Sequence, residues 1–267
     1  MRVAAVAACV WLAGCATYSV RRAALTPNPA PAFGTGQPMD RPVELAVGSS
    51  SVVNLGAPVQ GGGDGGIVVP RFDLNGGLRL RVAPNVDVGL VFDHGFNAGA
   101  DATASDMPRP DGDTFGGGAT VHYAAGDGPF RVGLEADFLV YSVPWKETWT
   151  CAANCGASAV QTVVREGRGS AAVLALGVIP SYRRGRLTLF GSMTLRNHPT
   201  ARKGDVLIVE VGDPVESGPI NMIAAVGAAV DLGEGARLQA SAYVPVTDDP
   251  VAYTPTLAVS LAVGFDP

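Results

Sequence analysis

Long stretches of the chain alternate apolar and polar side chains with a period of two, which is the pattern of a β-strand whose two faces meet different surroundings. From Val68 to Val82 the even positions are largely apolar, whereas the odd positions include Arg71, Asp73, Asn75, Arg79 and Arg81. The 35 Gly, the 20 Pro and the 16% of charged residues also suit strands and turns better than long helices. An all-β fold is therefore expected.

About ten such strands can be placed along the chain. We place them at 42–54, 66–82, 85–95, 113–124, 129–142, 169–182, 185–197, 219–231, 236–246 and 253–265. Tight turns follow the second, fourth, sixth and eighth strands, and longer connections follow the odd-numbered ones. Transmembrane barrels of the bacterial outer membrane have this asymmetry, with short periplasmic turns and longer extracellular loops. The sequence therefore predicts an antiparallel up-and-down transmembrane β-barrel over residues 42–267, with both ends of the barrel on the periplasmic side.

The polar face of these strands carries charges of both signs, which can pair across a narrow lumen. We expect lumen-facing positions at Arg79, Arg81, Asp87, Arg131, Glu135, Asp137, Arg196 and Arg237. The apolar face carries aromatic residues beside the short turns, where a barrel has its lower aromatic girdle: Tyr123, Phe130, Tyr182 and Phe265. The last strand resembles the C-terminal signal of outer-membrane barrels, although the chain continues past the aromatic residue to Pro267. That resemblance implies the barrel assembly machinery as a partner.

A soluble β-sandwich or lipocalin-like barrel has the same alternation with the apolar face turned inward. Sequence parity does not say which face is inside. The charges on the polar face favour the membrane barrel, and so does the strand length, which exceeds the roughly 5 or 6 residues usual in soluble sheets. The alternative carries a different function, namely a periplasmic lipoprotein that binds an apolar ligand inside its barrel.

The amino terminus has the layout of a secretory signal peptide, with a positive charge at Arg2 and a short apolar run that ends in small residues. The four residues that end at Cys15, Leu-Ala-Gly-Cys, resemble the lipobox of bacterial lipoproteins. This resemblance implies that residues 1–14 are removed, that Cys15 is lipidated and that the protein is held to the cell outer membrane. Residues 15–41 contain several prolines and no apolar periodicity, so they predict an extended tether between the lipid and the barrel.

Two further cysteines, Cys151 and Cys155, lie in the long connection between the fifth and sixth predicted strands. In an exported chain such a pair predicts a local disulfide. A thioredoxin-like redox pair has two residues between its cysteines, whereas three separate this pair. A zinc site needs more ligands than two thiols. We therefore expect a disulfide at this site, and neither a metal nor a cofactor.

The three histidines, His94, His122 and His198, are scattered over different strands. His94 lies beside Asp93 and before an acidic loop that contains Asp101, Asp106, Asp111 and Asp113. This group is similar to the histidine and acidic residues that omptin proteases, which are barrels of about ten strands, use at their extracellular rim. No matching motif accompanies them, and acidic residues in a Gly/Pro loop are usually just solvated. The chain also contains no nucleophile elbow, P-loop or dinucleotide fingerprint. We therefore expect that the chain is not an enzyme.

The function expected from the sequence is a lipid-anchored outer-membrane barrel with a structural or surface-interaction role, a narrow solute path being a further option. The expected contact surfaces are the extracellular loops at 96–112, 143–168 and 198–218. Outer-membrane lipid is the expected partner, and an extracellular partner is not identified. The net charge of -5 argues against nucleic acid. The periplasmic ligand-binding lipoprotein is the second interpretation, and an omptin-like membrane hydrolase is the third.

Overall fold

The computed structural model describes residues 17–28, 34–52, 65–98, 101–102, 108–153, 162–201, 215–246 and 255–267. The predicted signal peptide and Cys15 lie outside these ranges. Within them, thirteen strands join in one sheet. The strands are β1 (Thr17–Leu25), β2 (Val43–Val52), β3 (Gly65–Val69), β4 (Phe72–Ala83), β5 (Val86–Phe96), β6 (Asp101–Ala102), β7 (Thr114–Ala125), β8 (Phe130–Ala153), β9 (Thr162–Arg184), β10 (Leu187–Ala201), β11 (Val215–Gly233), β12 (Ala236–Pro245) and β13 (Thr256–Phe265). No helix in the described ranges is long and apolar enough to cross a bilayer.

Ten of these strands form a closed antiparallel barrel. They pair in the order β2, β4, β5, β7, β8, β9, β10, β11, β12 and β13, and the pairing of β13 with β2 closes the ring. In that pairing Phe265 lies opposite Val43, so both ends of the barrel are at the rim that carries the short turns. We call this rim the lower rim and the opposite one, with the long connections, the upper rim. The predicted fold class and the predicted strand number are confirmed.

The apolar faces of the strands point outward, and the polar faces point into the barrel. Along β13 every second residue from Thr256 to Gly264 is buried, and the exposed residues are Leu257, Val259, Leu261, Val263 and Phe265. Along β4 the buried residues include Asp73, Asn75 and Arg79. A lipocalin-like barrel needs the opposite arrangement, so the soluble interpretation is wrong. An exterior this apolar is stable only in lipid.

Aromatic side chains mark both edges of the apolar exterior. The predicted lower girdle is confirmed, because Tyr123, Phe130, Tyr182 and Phe265 are all exposed near the lower rim. Near the upper rim Phe72 and Phe115 are also exposed, and the Phe72 ring lies 5.7 Å from that of Phe96. Tyrosine and phenylalanine at these two levels match the headgroup regions on either side of a bilayer.

The strand predicted at 66–82 is two strands. β3 ends at Val69 and β4 begins at Phe72, with Pro70 between them. Proline has no backbone N–H to donate to a ladder, so a strand ends there readily. β3 leaves the barrel wall and pairs instead with β1 and β6. The prediction was therefore wrong in the first residues of this strand.

Above the upper rim, β8 and β9 continue as a long hairpin. β7 stops pairing with β8 at Ser142, whereas β8 and β9 stay paired up to Thr150 and Thr162. The loop predicted at 143–168 is therefore largely strand. The edge of β8 above β7 is occupied by β1, which runs antiparallel to it from Thr17 opposite Ala153 down to Ala24 opposite Trp145. We call the part of the sheet above the barrel, formed by β1, β3, β6 and the ends of β8 and β9, the upper sheet.

After β1, which belongs to the upper sheet, the described residues of the predicted tether enter the barrel. Residues 22–28 and 34–37 are buried. Thr26 Oγ1 donates to the carbonyl of Pro199 in β10, at 2.7 Å, while Asn28 Nδ2 donates to the carbonyl of Pro70 beside β4, at 3.0 Å. These two bonds hold the chain to the wall at the upper mouth of the lumen. The small Ala, Thr and Gly side chains that resemble a linker are the ones that fit in this narrow space.

We expect arginine on the outer face to destabilise the protein according to its depth in the bilayer. At a lipid-facing position such a residue costs about 2–4 kcal/mol near the midplane and about 0–1 kcal/mol near the interface. Val259 is central in β13 and Val263 is near its lower end, and both point outward. Val259→Arg should therefore lower the free energy of unfolding in lipid vesicles, followed by urea titration, by about 2–4 kcal/mol. Val263→Arg is the matched control with a smaller loss, and negligible effects at both positions would contradict a lipid-facing exterior.

Candidate functional site

A buried network of ion pairs in the lumen is centred on Arg79. The guanidinium of Arg79 lies 3.0 Å from Glu44 Oε1 and 2.7 Å from Asp87 Oδ1. Glu44 Oε1 also accepts a hydrogen bond from Arg237 Nη2 at 3.0 Å, and His122 Nδ1 lies 3.0 Å from Asp87 Oδ2. These side chains come from β2, β4, β5, β7 and β12. The network therefore links five strands of the wall through charges that bulk water does not solvate.

A second polar cluster lies nearer the upper rim, around Tyr141. Its hydroxyl donates to Asp93 Oδ2 and accepts from Arg196 Nη2, both at 3.1 Å. Asn75 Nδ2 donates to Asp93 Oδ1 at 2.6 Å. All four side chains are buried. The cluster connects β4, β5, β8 and β10 and adds a second layer of hydrogen bonds to the polar interior.

The amino-terminal segment, which comprises the described residues 17–28 and 34–41 ahead of β2, contacts the barrel wall at the top of the lumen through its backbone. Asp73 is buried, and its Oδ2 accepts the backbone N–H of Asn28 at 2.9 Å. Thr114 Oγ1 donates to the carbonyl of Leu25 at 2.5 Å. These contacts reach the segment from β4 and β7. The backbone of the segment therefore bonds polar side chains of the wall that only water could bond in an empty lumen.

Lower in the lumen the segment is wedged against β8 and β9. A Cβ atom on Gly36 would lie 2.1 Å from the carbonyl oxygen of Ile179 and 2.9 Å from the backbone nitrogen of Gly133, so only glycine fits at this position. Gln37 Nε2 donates to Ser181 Oγ at 3.0 Å. The segment is thus a built part of the interior, and it occupies the space that a solute would have to cross.

The predicted lumen-facing charges separate into two groups. Those within the barrel are Arg79, Asp87, Glu135, Asp137, Arg196 and Arg237, of which Glu135, Asp137 and Arg196 line a cavity of about 40 Å³. Those near the lower rim are Arg81, which is exposed and donates to the carbonyl of Met39 at 3.0 Å, and Arg131, which is half-buried. Glu44, Asp93 and His122 were not among the predicted residues, although each lies on the inward parity of its strand. Extending the alternation of inward and outward residues to the end of every strand would have identified these three residues as lumen-facing.

The upper sheet contains a third charged cluster, around Glu147. This carboxylate is buried, and it accepts hydrogen bonds from Arg22 Nε at 2.5 Å and from Trp149 Nε1 at 2.7 Å. Arg165 Nη1 lies 3.1 Å from it. Arg22, Glu147 and Arg165 belong to β1, β8 and β9. The cluster therefore fixes the amino-terminal strand to the hairpin above the barrel.

The omptin-like arrangement around His94 is assembled only in part. His94 Nε2 lies 3.0 Å from Asp113 Oδ2, and its ring stacks on Phe96 with centroids 4.2 Å apart. Burial opposes ionisation of Asp113, but the backbone N–H of Asn97, together with the neighbouring His94, outweighs it and lowers the pKa of this carboxyl. Asp93 does not take part, because consecutive residues of a strand point to opposite faces and Asp93 points into the lumen.

The other acidic residues of that predicted group lie elsewhere. Asp111 pairs with Lys146 Nζ at 3.0 Å, which lowers the pKa of the Asp111 carboxyl. The side chain of Asp101 and the whole of Asp106 are outside the described residues. Within the described part of the chain, no group of three or more His, Cys, Asp or Glu side chains is arranged to hold a metal ion. Among the described residues, the rim therefore presents one His–Asp pair, formed by His94 and Asp113.

The cysteine predictions fall mostly outside the described residues. Cys151 lies in β8 and is half-buried, whereas Cys155 is not described. The disulfide between them stays a prediction, as does lipidation of Cys15. The backbone of Cys151 is paired with that of Tyr18, so this site lies beside the amino-terminal strand of the upper sheet.

Several solved outer-membrane barrels are similar to this chain. The β-domain of the Bordetella autotransporter Brka has 14% sequence identity and a TM-score of 0.44, with 85% of this chain and 100% of that chain covered. LpxR from Salmonella typhimurium has 10% identity and a TM-score of 0.43, with 83% and 100% covered. The outer membrane protease OmpT from Escherichia coli has 8% identity and a TM-score of 0.37, with 92% and 94% covered. Neither a protein-family model nor a curated protein matches the sequence.

The fold is that of an outer-membrane β-barrel. The closed ring, the apolar exterior and the two aromatic levels carry this conclusion, and the outer membrane is the location that it supports. The expectation that the chain is not an enzyme is corrected by the comparison, since one barrel of this architecture is a protease. The absence of a recognised motif in the sequence is not a reason to exclude catalysis, and we set that exclusion aside.

We expect removal of Arg79 to destabilise the barrel strongly. Arg79→Met leaves Glu44 and Asp87 without their shared cation, and breaking a buried pair costs about 3–5 kcal/mol. The matched control is Arg183→Met, because Arg183 pairs with Asp40 and Asp231 near the lower rim, where it is partly exposed and such pairs contribute about 0–1 kcal/mol. Urea unfolding in vesicles measures both. The same small loss in both variants would show that the Arg79 network contributes little, and Glu44→Gln with Asp87→Asn should rescue Arg79→Met.

Proposed function

We propose that this protein is a closed outer-membrane barrel, anchored by lipid on Cys15, with a structural and surface-interaction role carried by its upper sheet. The observation that carries the proposal is the amino-terminal segment packed inside the lumen. A barrel filled in this way offers its outer rim, rather than its interior, for function.

The contacts of the lumen support closure at two levels. Near the upper rim Asn28 is held by Asp73 and by the carbonyl of Pro70. Near the lower rim Gly36 touches β8 and β9 so closely that no Cβ atom fits. A barrel of this strand number already encloses mostly side chains. Side chains and the described residues of the segment together narrow the lumen at both levels, so a narrow solute path is the less favoured alternative.

The upper sheet supports the surface role. Loops with few contacts are mobile and bind at the cost of ordering themselves. Here the predicted contact loop at 143–168 is instead a paired hairpin, braced on one edge by β1 and crossed by the ion pairs of Glu147. Such a sheet presents a preorganised surface beyond the membrane, and lower ordering cost favours specific contacts with a partner.

Two covalent features belong to the proposal. The lipobox-like residues before Cys15 are the basis for removal of a signal peptide and for lipidation. Cys151 and Cys155 are close in sequence within an exported chain, and a disulfide between them would secure the end of the hairpin. The C-terminal strand supports insertion by the barrel assembly machinery.

The closure of the lumen is tested by conductance in planar lipid bilayers. We expect the wild-type barrel to show no steady conductance, because the segment is packed against the wall at both levels of the lumen. Gly36→Leu should open conducting steps, since a side chain at Gly36 collides with backbone and displaces the segment. Gly34→Ala is the matched control, because a Cβ atom at Gly34 meets only the flexible end of Arg79 at 3.4 Å. Steady steps from the wild-type barrel would favour the solute path instead.

The rigidity of the upper sheet is tested by limited trypsin digestion of intact cells. Glu147→Gln removes the carboxylate that holds Arg22 and Arg165, so we expect faster cleavage at Arg21 and Arg22 than in the wild type. Glu166→Gln is the control, because Glu166 is an exposed neighbour on the same hairpin. Equal cleavage rates in all three proteins would mean that the Glu147 cluster does not hold β1 in place.

A further inference from the structure

The amino-terminal segment runs through the barrel in one direction. Its contacts descend along the wall in chain order. At the top, Thr17 is opposite Ala153 and Ala24 is opposite Trp145, both in β8, and Asn28 then meets Asp73 near the top of β4. At the bottom, Gly36 meets Gly133 of β8, and the carbonyl of Pro42 accepts the N–H of Arg81 at the lower rim. The chain therefore descends from the upper sheet to the start of β2, and its amino end is at the top.

The upper rim is the extracellular one if the barrel has the usual orientation. All the long connections are at this rim, and the lower rim carries the short turns and both ends of the barrel. Long loops on the extracellular side and short turns on the periplasmic side are the rule in bacterial barrels. This step rests on the orientation contained in the proposed function.

We propose that the amino-terminal segment enters the barrel from outside the cell, so that its amino end at Thr17 lies on the extracellular side of the outer membrane. The sequence alone predicted the reverse, with a tether that reaches the periplasmic leaflet from below. The inference changes the accessible surface of the protein, because β1 and the rest of the upper sheet share one side of the membrane.

Distances make the periplasmic arrangement untenable for this fold. Cys15 precedes Thr17 by two residues, which span at most about 7 Å of extended chain. β8 is 24 residues long, which is about 80 Å of strand and, at a tilt near 45°, about 55 Å of height. The hydrocarbon core of a bilayer is only about 30 Å thick. An amino terminus held at the top of β8 is therefore separated from the periplasmic leaflet by far more than its free length.

The contacts that hold this direction are built into the wall. Arg22 is buried and bonded to Glu147. Ala23 is fully buried in a cluster with Val68 of β3, and Ala24 is fully buried in a cluster that includes Val143 of β8. At the other end Gln37 is bonded to Ser181, and Gly36 and Gly133 approach each other too closely for side chains. A segment whose amino end lay in the periplasm would lose the upper set, because the contact of Arg22 with Glu147 lies above the barrel.

The direction is tested by labelling single cysteines in intact cells with a membrane-impermeant maleimide. Ser19→Cys reports on β1, where Ser19 is exposed. Thr162→Cys on the hairpin is the control for the upper side, and Asp127→Cys in the turn between β7 and β8 is the control for the lower side. Each is made in a Cys151→Ala, Cys155→Ala background, and altered migration of unboiled samples in SDS gels shows that each variant is folded.

We expect Ser19→Cys to react in intact cells to the same extent as Thr162→Cys, and Asp127→Cys to react only after the outer membrane is permeabilised. Reaction of Ser19→Cys only after permeabilisation, with Thr162→Cys already labelled, would overturn the inference and leave the proposed function standing. Labelling of Asp127→Cys but not of Thr162→Cys in intact cells would show an inverted barrel and overturn both.

Discussion

Arg79 lies in the lumen between two carboxylates, and the register of the barrel depends on that position. Glu44 and Arg79 are direct partners across the β2–β4 ladder, and Asp87 approaches from β5. A shift of one residue in any of these strands would turn its charge toward lipid and its apolar side chain into the lumen. The same register that pairs the charges therefore also creates the lipid-facing exterior. Electrostatics inside and solvation outside impose one arrangement of the strands.

The wall and the amino-terminal segment depend on each other in a similar way. The wall positions Asp73 and Thr114 to bond the backbone of the segment, and the segment shields these polar groups from an otherwise empty mouth. Glycine is needed on both sides at the contact of Gly36 with Gly133, because neither backbone leaves room for a Cβ atom of the other. The segment is thus part of the core of this protein, in a fold class where the core is often water or side chains alone.

The sequence predicted the barrel well because its strands separate two opposite solvents. Strands such as β13 have lipid on one side and a polar lumen on the other, so their alternation is strong and their limits lie within a few residues of the prediction. The upper sheet lacked this signal. Every residue from Arg22 to Leu25 in β1 and from Ile67 to Val69 in β3 is buried, so burial there does not follow parity. Pro70 was read as part of a strand instead of as a break.

The alternation of inward and outward side chains along a strand also explains which residues of the candidate site were predicted and which were missed. This alternation identified Arg79 and Asp87 as lumen-facing. Applied to Asp93 and His94, which are consecutive in β5, it would have placed them on opposite faces of the strand. No local pattern could predict that Asn28 meets Asp73 or that Arg22 meets Glu147, because these contacts join parts of the chain that come together only when the ring is closed. Residues 15–41 are rich in Pro, Ala and Gly and have no apolar periodicity, so the sequence predicted a tether. A segment without such periodicity can nevertheless pack at a defined place in the fold.

The location of this segment constrains the order in which the protein can assemble. The seam of the ring is the pairing of the first barrel strand, β2, with the last, β13, and the segment immediately precedes β2. The residues that fill the lumen must therefore already be inside the curved sheet when the seam forms, or be drawn in lengthwise afterwards through a passage lined with charges. Non-local closure is slow in β proteins, since the loop entropy is lost before the contacts form. In either order the finished ring encloses the segment, so the chain is held by its topology as well as by its contacts.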